Sequence, residues 1–292
     1  MPKKVTIASV ISLVLLIALI AILVKTAPKP PQNIIPAQVS VLFPEENTIL
    51  LLSCDEFLTG CVRGLLPKGE SPNPEALRAI CAAERTRILY HLQTSGQTSD
   101  TLGADFTVGE EFPYTRGGDE ALNAKIRTAA QSSELLTIEG ELFDAELCRI
   151  SSGRTDESDY SPSVPLICDI DAGNSRLAFT YEEVWQTMKP SRAPADCSKW
   201  FQNAVYESTG TLRSIEFCGT AISGEELRNR FKLPSSAITV EFSEDTFYFS
   251  CKGRGGNKGM SVNGAIFLAK SGYSAEEILA LFYPEAKIDC RF

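Results

Sequence analysis

Apolar and polar positions along this chain alternate in two rhythms, and the rhythm changes from segment to segment. QVSVLF (38–43) alternates as a half-buried strand does, and NTILLLS (47–53) is a second strand candidate. DEFLTGCVRGLLP (55–67) switches to helical spacing, with Asp55 as its expected opening residue and Pro67 as its stop. Pro74 then opens PEALRAICAAERTRILYHLQ, where Leu77, Ile80, Cys81, Ile88 and Leu89 form an apolar face. ALNAKIRTAAQSS (121–133) reads as a third helix. LLTIEGELFDAELCRI (135–150) reads as a hairpin turning at Glu139-Gly140. A long polar loop follows, then PLICDID (165–171) as extended chain and FTYEEVWQTMK (179–189) as a helix. NAVYESTGTLRSIEFCGTAIS (203–223) alternates like a hairpin with its turn at Thr209-Gly210. ISGEELRNRFKLPSSAITVEF (222–242) is a helix-to-strand unit. GRGGNKGMSVNGA (253–265) is a glycine-rich loop, and two helices follow it, the second ending at Tyr283-Pro284. Helices and strands intermix without βαβ regularity, so the expected class is α+β.

One segment stands apart. Residues 5–24 open at Val5, close at Val24 and carry neither charge nor proline. At ~1.5 Å per residue a helix of that length spans a bilayer core of about 30 Å. Lys3 and Lys4 precede it, which favours a cytoplasmic N-terminus and a single-pass anchor in the cell membrane. A cleavable signal peptide is the rival, although its apolar region is usually shorter, about 7–15 residues. Residues 25–36, KTAPKPPQNIIP, form a proline-rich, semi-rigid stalk. The expected organisation is a tail (1–4), a transmembrane helix (5–24), the stalk, and an extracytoplasmic mixed domain over 37–292.

Charge and cysteine usage narrow the chemistry. The net charge is -9, and all four charges before residue 37 are lysines, so the domain is more acidic than the whole. Such a domain repels phosphate backbones, and nucleic acid is not an expected partner. Nine cysteines are scattered without a C-x-x-C, several inside apolar runs, and buried thiols are the expectation. With one histidine, His91, no metal site is expected and no cofactor is implied. His91 closes its helix, where it suits the C-terminal dipole. No G-x-S-x-G, H-E-x-x-H or P-loop occurs.

Three blocks resemble one family. Asp55-Glu56-Phe57-Leu58, Gly60 and Leu65-Leu66-Pro67, followed by Pro74-Glu75-Ala76-Leu77-Arg78-Ala79, Ala83 and Arg85-Thr86, form the first. Ser151-Ser152-Gly153-Arg154-Thr155 with Pro165-Leu166 forms the second. Gly255, Gly259, Met260, Ser261, Gly264 and Ala265 form the third. In this order, over roughly residues 50–290, they resemble the stage II sporulation protein D family, which includes the amidase enhancers of bacterial cell walls.

The resemblance implies a membrane-anchored cell-wall protein. Family members cleave peptide-free peptidoglycan glycan strands as lytic transglycosylases, beside an amidase and other membrane proteins of the engulfment machinery. Their acid is the glutamate of a Glu-Met-Pro block, and here that position is Leu65. A family glutamine is Ile80 and the loop histidine is Gly256, so three groove positions lack their polar groups. Some relatives carry a Cys/His metal cluster after the first helix, but residues 93–115 contain neither residue type. The expected function is glycan binding or scaffolding in sporulation or wall remodelling with a degenerate catalytic site. The alternative is an active lytic transglycosylase with a displaced acid. Glu70 and Glu84 are the surrogates to weigh, though both read more simply as solvated surface charge. Arg85, Thr86, Ser151, Arg154, Thr155, Gly255, Gly259 and Ser261 are the candidate glycan contacts. For Arg85 the competing reading is a buried structural arginine paired with a carboxylate, and for Ser151, Arg154 and Thr155 an ordinary polar loop.

Overall fold

The computed structural model describes residues 37–94, 103–109, 111–131 and 134–289. The apolar run at 5–24, the stalk and Cys290 lie outside these residues. Among the described residues no helix is long and apolar enough to cross a membrane.

The chain begins with an antiparallel pair, β1 (Gln38–Phe43) and β2 (Thr48–Ser53), in the register Gln38 opposite Ser53 to Phe43 opposite Thr48. Helix α1 (Cys54–Leu65) follows at once. Its cap is Ser53 rather than Asp55: the Ser53 hydroxyl accepts from the Glu56 amide and Glu56 reaches back to the Ser53 amide. That reciprocal box satisfies two amides, whereas Asp55 inside the first turn only favours the dipole. Helix α2 (Pro74–Thr94) is the centre of the lobe, touched by α1, by β4 and by three later helices. Twelve of its 21 residues are buried, on all sides rather than on one face. Ala76, Ala79, Ala82 and Ala83 are small enough to let neighbours approach from every direction.

Strand β3 (Phe106–Thr107) adds in parallel to β1, and α3 (Glu120–Ala130) packs against α2. The hairpin expected over 135–150 does not form. The turn at Glu139-Gly140 is present, both residues having positive φ, but it closes one bridge between Ile138 and Glu141. Strand β4 (Leu135–Thr137) and strand β5 (Leu147–Cys148) find partners at the far end of the chain instead. PLICDID is not extended either: Ile167–Asp169 is a 3-10 turn.

The chain then leaves to build a second lobe. It comprises β6 (Ser175–Thr180), α4 (Tyr181–Met188), β7 (Phe201–Tyr206), β8 (Leu212–Phe217), β9 (Thr220–Ser223), α5 (Gly224–Phe231), β10 (Ala237–Ser243) and β11 (Thr246–Lys252). The expected hairpin over 203–223 is a three-stranded meander, β7-β8-β9, with a second turn at Cys218-Gly219. Strands β10, β11 and β6 form another sheet, and β6 was not legible as a strand. Val184, Trp200, Phe217, Leu227, Ile238, Phe247 and Phe249 fill a core of this lobe's own. The chain returns through the glycine-rich segment to β12 (Met260–Ser261), α6 (Val262–Lys270), α7 (Ala275–Phe282) and β13 (Lys287–Asp289). β12 pairs in parallel with β5, and β13 pairs antiparallel with β4. The first lobe's core therefore joins residues from both ends of the described chain, Val41 and Ile80 with Met260 and Phe282.

Two glycines on α1 admit the segment that covers it. Thr115 donates to the Gly60 carbonyl at 3.0 Å. A Cβ on Gly64 would stand 2.3 Å from the Pro113 carbonyl oxygen, which is backbone and cannot step aside. Gly64→Ala is expected to cost about 1–3 kcal/mol. The thermal midpoint then drops by several degrees, at roughly 2–4 °C per kcal/mol for a chain of this size. Gly256→Ala, whose added Cβ meets nothing within 4 Å, leaves the midpoint unchanged in the same calorimetric series.

Candidate functional site

The glycine-rich segment runs between the two lobes, and its glycines serve close approach to the chain itself. Gly253 lies against the Ile150 and Ser151 carbonyls, where a Cβ would come within 2.5 and 2.6 Å of the oxygens. Gly259, with φ near 66°, would place a Cβ 1.8 Å from the Glu146 carbonyl oxygen. Only a residue without a side chain fits such a backbone contact in the left-handed region. Asn257 takes the same region and stitches the lobes: its amide donates to Thr211 Oγ1 at 3.0 Å, and its carbonyl accepts from the Ser152 amide at 2.8 Å.

Beside this segment lies a groove with three adjoining compartments. The central one, about 430 Å³, is walled by Leu65, Arg87, Glu146, Gly255, Gly256 and Lys258, among others. A larger one of about 950 Å³ shares Glu146, Gly256 and Lys258 with it and continues past Glu157 and Glu207. A third, about 540 Å³, meets the central one at Asn229 and is walled by Phe43, Tyr114 and Arg116. Both lobes contribute, the second through helix α5.

Leu65, at the end of α1, is buried in the central wall, and Gly256 lines the same compartment. Ile80 does not belong with them. It is wholly enclosed in the first lobe's core, so its apolar side chain is a packing choice rather than a lost groove contact.

The candidate glycan contacts separate in the same way. Gly255 lines the central compartment. Arg85 donates through Nη2 to the Ala130 carbonyl at the end of α3, where its charge meets the negative end of that helix. Its partner is thus a carbonyl and not a carboxylate. Thr86 is buried, donating to Ala82 O and accepting from the Leu136 amide, both at 2.8 Å, which fastens β4 to α2. Thr155 accepts from the Val164 amide at 2.9 Å within its loop. Ser151 donates its amide to Asp169 at 2.8 Å. Ser261 donates its hydroxyl to the same carboxylate at 2.7 Å and caps α6 by accepting from the Gly264 amide at 3.0 Å. Arg154 is exposed on the loop, and Gly259 seats β12 on Glu146.

The two surrogate acids also part company. Glu70 pairs with Lys270 on α6, half-buried at the surface and outside the groove walls. Glu84 is not a solvated charge: it is fully buried on α2. Neither of its oxygens has a conventional hydrogen-bond partner, and the neighbouring Cys61 thiol is a weak donor. Burial pushes its carboxyl up to about 7, and the Arg87 charge one turn further along α2 works against that rise. Arg87 in turn reaches the groove, donating to the Glu111 carbonyl at 2.7 Å, with Nε 3.4 Å from Asp144 and its guanidinium 4.9 Å over the Phe112 ring. His91, near the end of α2, packs its ring against Phe106 and Phe112 at 5.3 and 5.1 Å.

Arg87, Glu146 and Lys258 are groove residues that the sequence did not single out. The signal available was slight: Glu84 and Arg87 at i and i+3 on a helix rich in alanine, and a charge at Glu146 set between Ala145 and Leu147. Burial, followed by repulsion from Asp144, raises the Glu146 carboxyl above the usual carboxylate range, while Lys258 and a Ser158 hydrogen bond oppose the rise. Among the described residues no group of three or more His, Cys, Asp or Glu side chains is placed to hold a metal ion.

No family model matches the chain. Two curated proteins are distantly similar over most of its length. It is 20% identical over 276 residues to stage II sporulation protein D of Bacillus subtilis (strain 168), covering 87% of this chain and 79% of that protein. It is 22% identical over 270 residues to stage II sporulation protein D of Bacillus amyloliquefaciens, covering 85% and 77%. The chain is thus a distant relative of stage II sporulation protein D.

Glu84 has a measurable consequence. Its folded-state value lies above the unfolded 4.5, so the folded chain holds the proton longer and is favoured below about 4.5. As pH rises from there to about 7, that contribution is lost, and above 7 it stays lost. In denaturant titrations across this window the wild-type chain is expected to lose on the order of 1–3 kcal/mol more than Glu84→Gln. Parallel pH profiles for the two chains would show that Glu84 titrates normally.

Proposed function

We propose that this chain is a membrane-anchored, extracytoplasmic cell-wall protein that holds a peptidoglycan glycan strand in the groove between its lobes, in sporulation or wall remodelling. The distant similarity to two sporulation proteins supports the setting. The observation that carries the binding reading is the groove's length. Compartments of 430, 950 and 540 Å³ adjoin along the lobe boundary, each the size of a site for one small molecule. A run of such sites suits a polymer of several sugars.

The walls suit that ligand chemically. Arg254 and Lys258 are exposed on the glycine-rich segment and can meet the carboxylates of a glycan strand. Glu157 and Glu207 in the larger compartment can accept from sugar hydroxyls, and Tyr114 in the third offers a ring edge for a sugar face. Leu65 cannot transfer a proton, so the position that resembles the family's acid supports binding and not chemistry. A cell-wall amidase and membrane proteins of the engulfment machinery are the partners this reading proposes, with residues 5–24 as the anchor.

A second reading, cleavage of peptide-free strands by a lytic transglycosylase, gains nothing from Glu70 or Glu84, which lie outside the groove walls. It is favoured by two other carboxylates, Glu146 and Glu225, which each line two compartments.

The binding reading is tested with the full chain in detergent micelles and peptide-free glycan strands, by cosedimentation. The wild-type chain is expected to travel with the strands. Arg254→Glu combined with Lys258→Glu should weaken this by about tenfold or more, as for two lost charge-assisted contacts, with an unchanged thermal midpoint. No cosedimentation by the wild-type chain, or none of the expected weakening, would sink the reading.

A further inference from the structure

Eight cysteines lie among the described residues, and four of them, Cys61, Cys81, Cys148 and Cys251, are buried. Of the four half-buried thiols, Cys168 donates to Asp169 at 3.5 Å and Cys54 opens α1 in the first lobe. Cys197 and Cys218 come from two segments that Trp200 brings together. Both belong to the second lobe, outside the groove walls, and both pack on that lobe's core. Cys197 begins the 3-10 turn Cys197–Lys199, at the end of the connector that leaves α4. Cys218 occupies the turn between β8 and β9.

Two backbone bonds through Trp200 join the cysteines. The Trp200 amide donates to the Cys197 carbonyl at 3.0 Å, and the Cys218 amide donates to the Trp200 carbonyl at 2.7 Å. Their side chains sense each other as well. Burial raises the Cys218 thiol above its ordinary range, and the charge of a Cys197 thiolate adds to the rise. The turn gives a second, independent mark. Phe217 pairs with Thr220, so Cys218-Gly219 is a two-residue hairpin loop, with φ values of 49° and 83°. Such loops favour asparagine, aspartate or glycine at the first position, because most side chains are strained at positive φ. A cysteine stands there against local preference, beside a second cysteine, and strain retained at one residue points to a role for it. The connector shows what that role serves. Residues 189–199 are mostly exposed, and one tie between them and the sheet is the Trp200 indole, which donates to the Pro194 carbonyl at 2.9 Å.

We propose that Cys197 and Cys218 are an oxidisable pair that closes to an intramolecular disulfide on exchange with a small-molecule disulfide outside the cell. In the step, the thiolate of one cysteine attacks a sulfur of the external disulfide. A mixed disulfide forms as the external S–S bond breaks, and one external thiolate leaves. The second cysteine, as thiolate, attacks the bonded protein sulfur and expels the other external thiolate. Two protein thiols are thereby oxidised to one disulfide, and the external disulfide is reduced to two thiols, which take up the two protons. The closed bond staples the connector to the β8–β9 turn. It spans a loop of about 20 residues, and such a crosslink stabilises mainly by restricting the unfolded chain. The extracytoplasmic setting proposed above is one in which a bond of this kind persists. Its formation does not depend on what the groove binds.

The experiment uses the full chain in detergent micelles, first reduced and then exposed to oxidised glutathione. Excess glutathione is removed, free thiols are alkylated and the chain is digested with trypsin. Trypsin cuts after Lys199 and Arg213, so the two cysteines fall on separate peptides unless a bridge joins them. Mass spectrometry should find those peptides linked, with the free-thiol count two below the nine of the reduced chain. The oxidised chain should melt roughly 5 °C or more above the reduced one. Cys197→Ser and Cys218→Ser should each give no linked peptide and no gain in thermal midpoint on oxidation. The comparison of reduced with oxidised wild-type chain decides the pairing even where a variant fails to fold. Both cysteines recovered alkylated, a glutathione adduct on each without a link, or a bridge from either one to another cysteine overturns the proposal.

Discussion

The architecture depends on one buried carboxylate. Asp169 is wholly enclosed, and an enclosed carboxylate is tolerable only where donors converge on it. Three do. The Ser151 amide at 2.8 Å comes from the polar loop after β5, the Ser261 hydroxyl at 2.7 Å from the start of α6, and the Asn263 amide at 2.8 Å from its first turn. Asp169 itself sits at the end of the 3-10 turn that precedes the second lobe. One side chain therefore ties together the segment that enters the second lobe, the loop beside it and the helix after the return. With those ends fixed, β12 is held beside β5, the Glu146 carbonyl meets Tyr283 and Gly259, and the groove acquires its floor.

The same constraint explains why the glycine-rich segment is glycine-rich. It leaves β11 in one lobe and must reach β12 in the other within a few residues, passing directly over the backbone of β5 and its flanks. Gly253 and Gly259 cross carbonyl oxygens at distances no side chain could share. Gly256 alone faces open space, on the groove side. The glycines thus solve a threading problem, and the groove wall is what remains once it is solved.

The local pattern made most helices legible. Alanine and leucine spacing, a proline at the first turn of α2 and acidic first turns all act within a few residues, so the sequence displays them directly. What could not be read were pairings between segments far apart in sequence. β4 and β5 look like the two arms of a hairpin because their alternation and turn chemistry are right, yet each is completed by a strand more than a hundred residues later. Ile167–Asp169 looks extended because Asp169 carries no local mark of its role; its donors come from elsewhere. Glu84 looked like surface charge because a helix that is buried all round offers no polar face against which to recognise an internal acid. The groove was legible in outline, through Leu65 and the glycine loop. Its charged walls were not, since Arg87, Glu146 and Lys258 converge only in three dimensions.

This separates two things that a motif runs together. Ser151, Thr155, Ser261 and Gly259 match the blocks that resemble the sporulation protein family, and in this structure each is occupied within the fold: two serve Asp169, one closes a loop and one seats a strand. Arg85 and Thr86 likewise fasten α3 and β4 to the central helix. Residues held by such bonds report the architecture, because removing any of them strands a buried partner. They say little about what the groove does. That question falls to residues outside the blocks, whose side chains reach the compartments without being required by the core. A chain can keep the whole frame while the position that resembles the family's acid is leucine, because nothing in the frame's own packing demands a carboxyl group there.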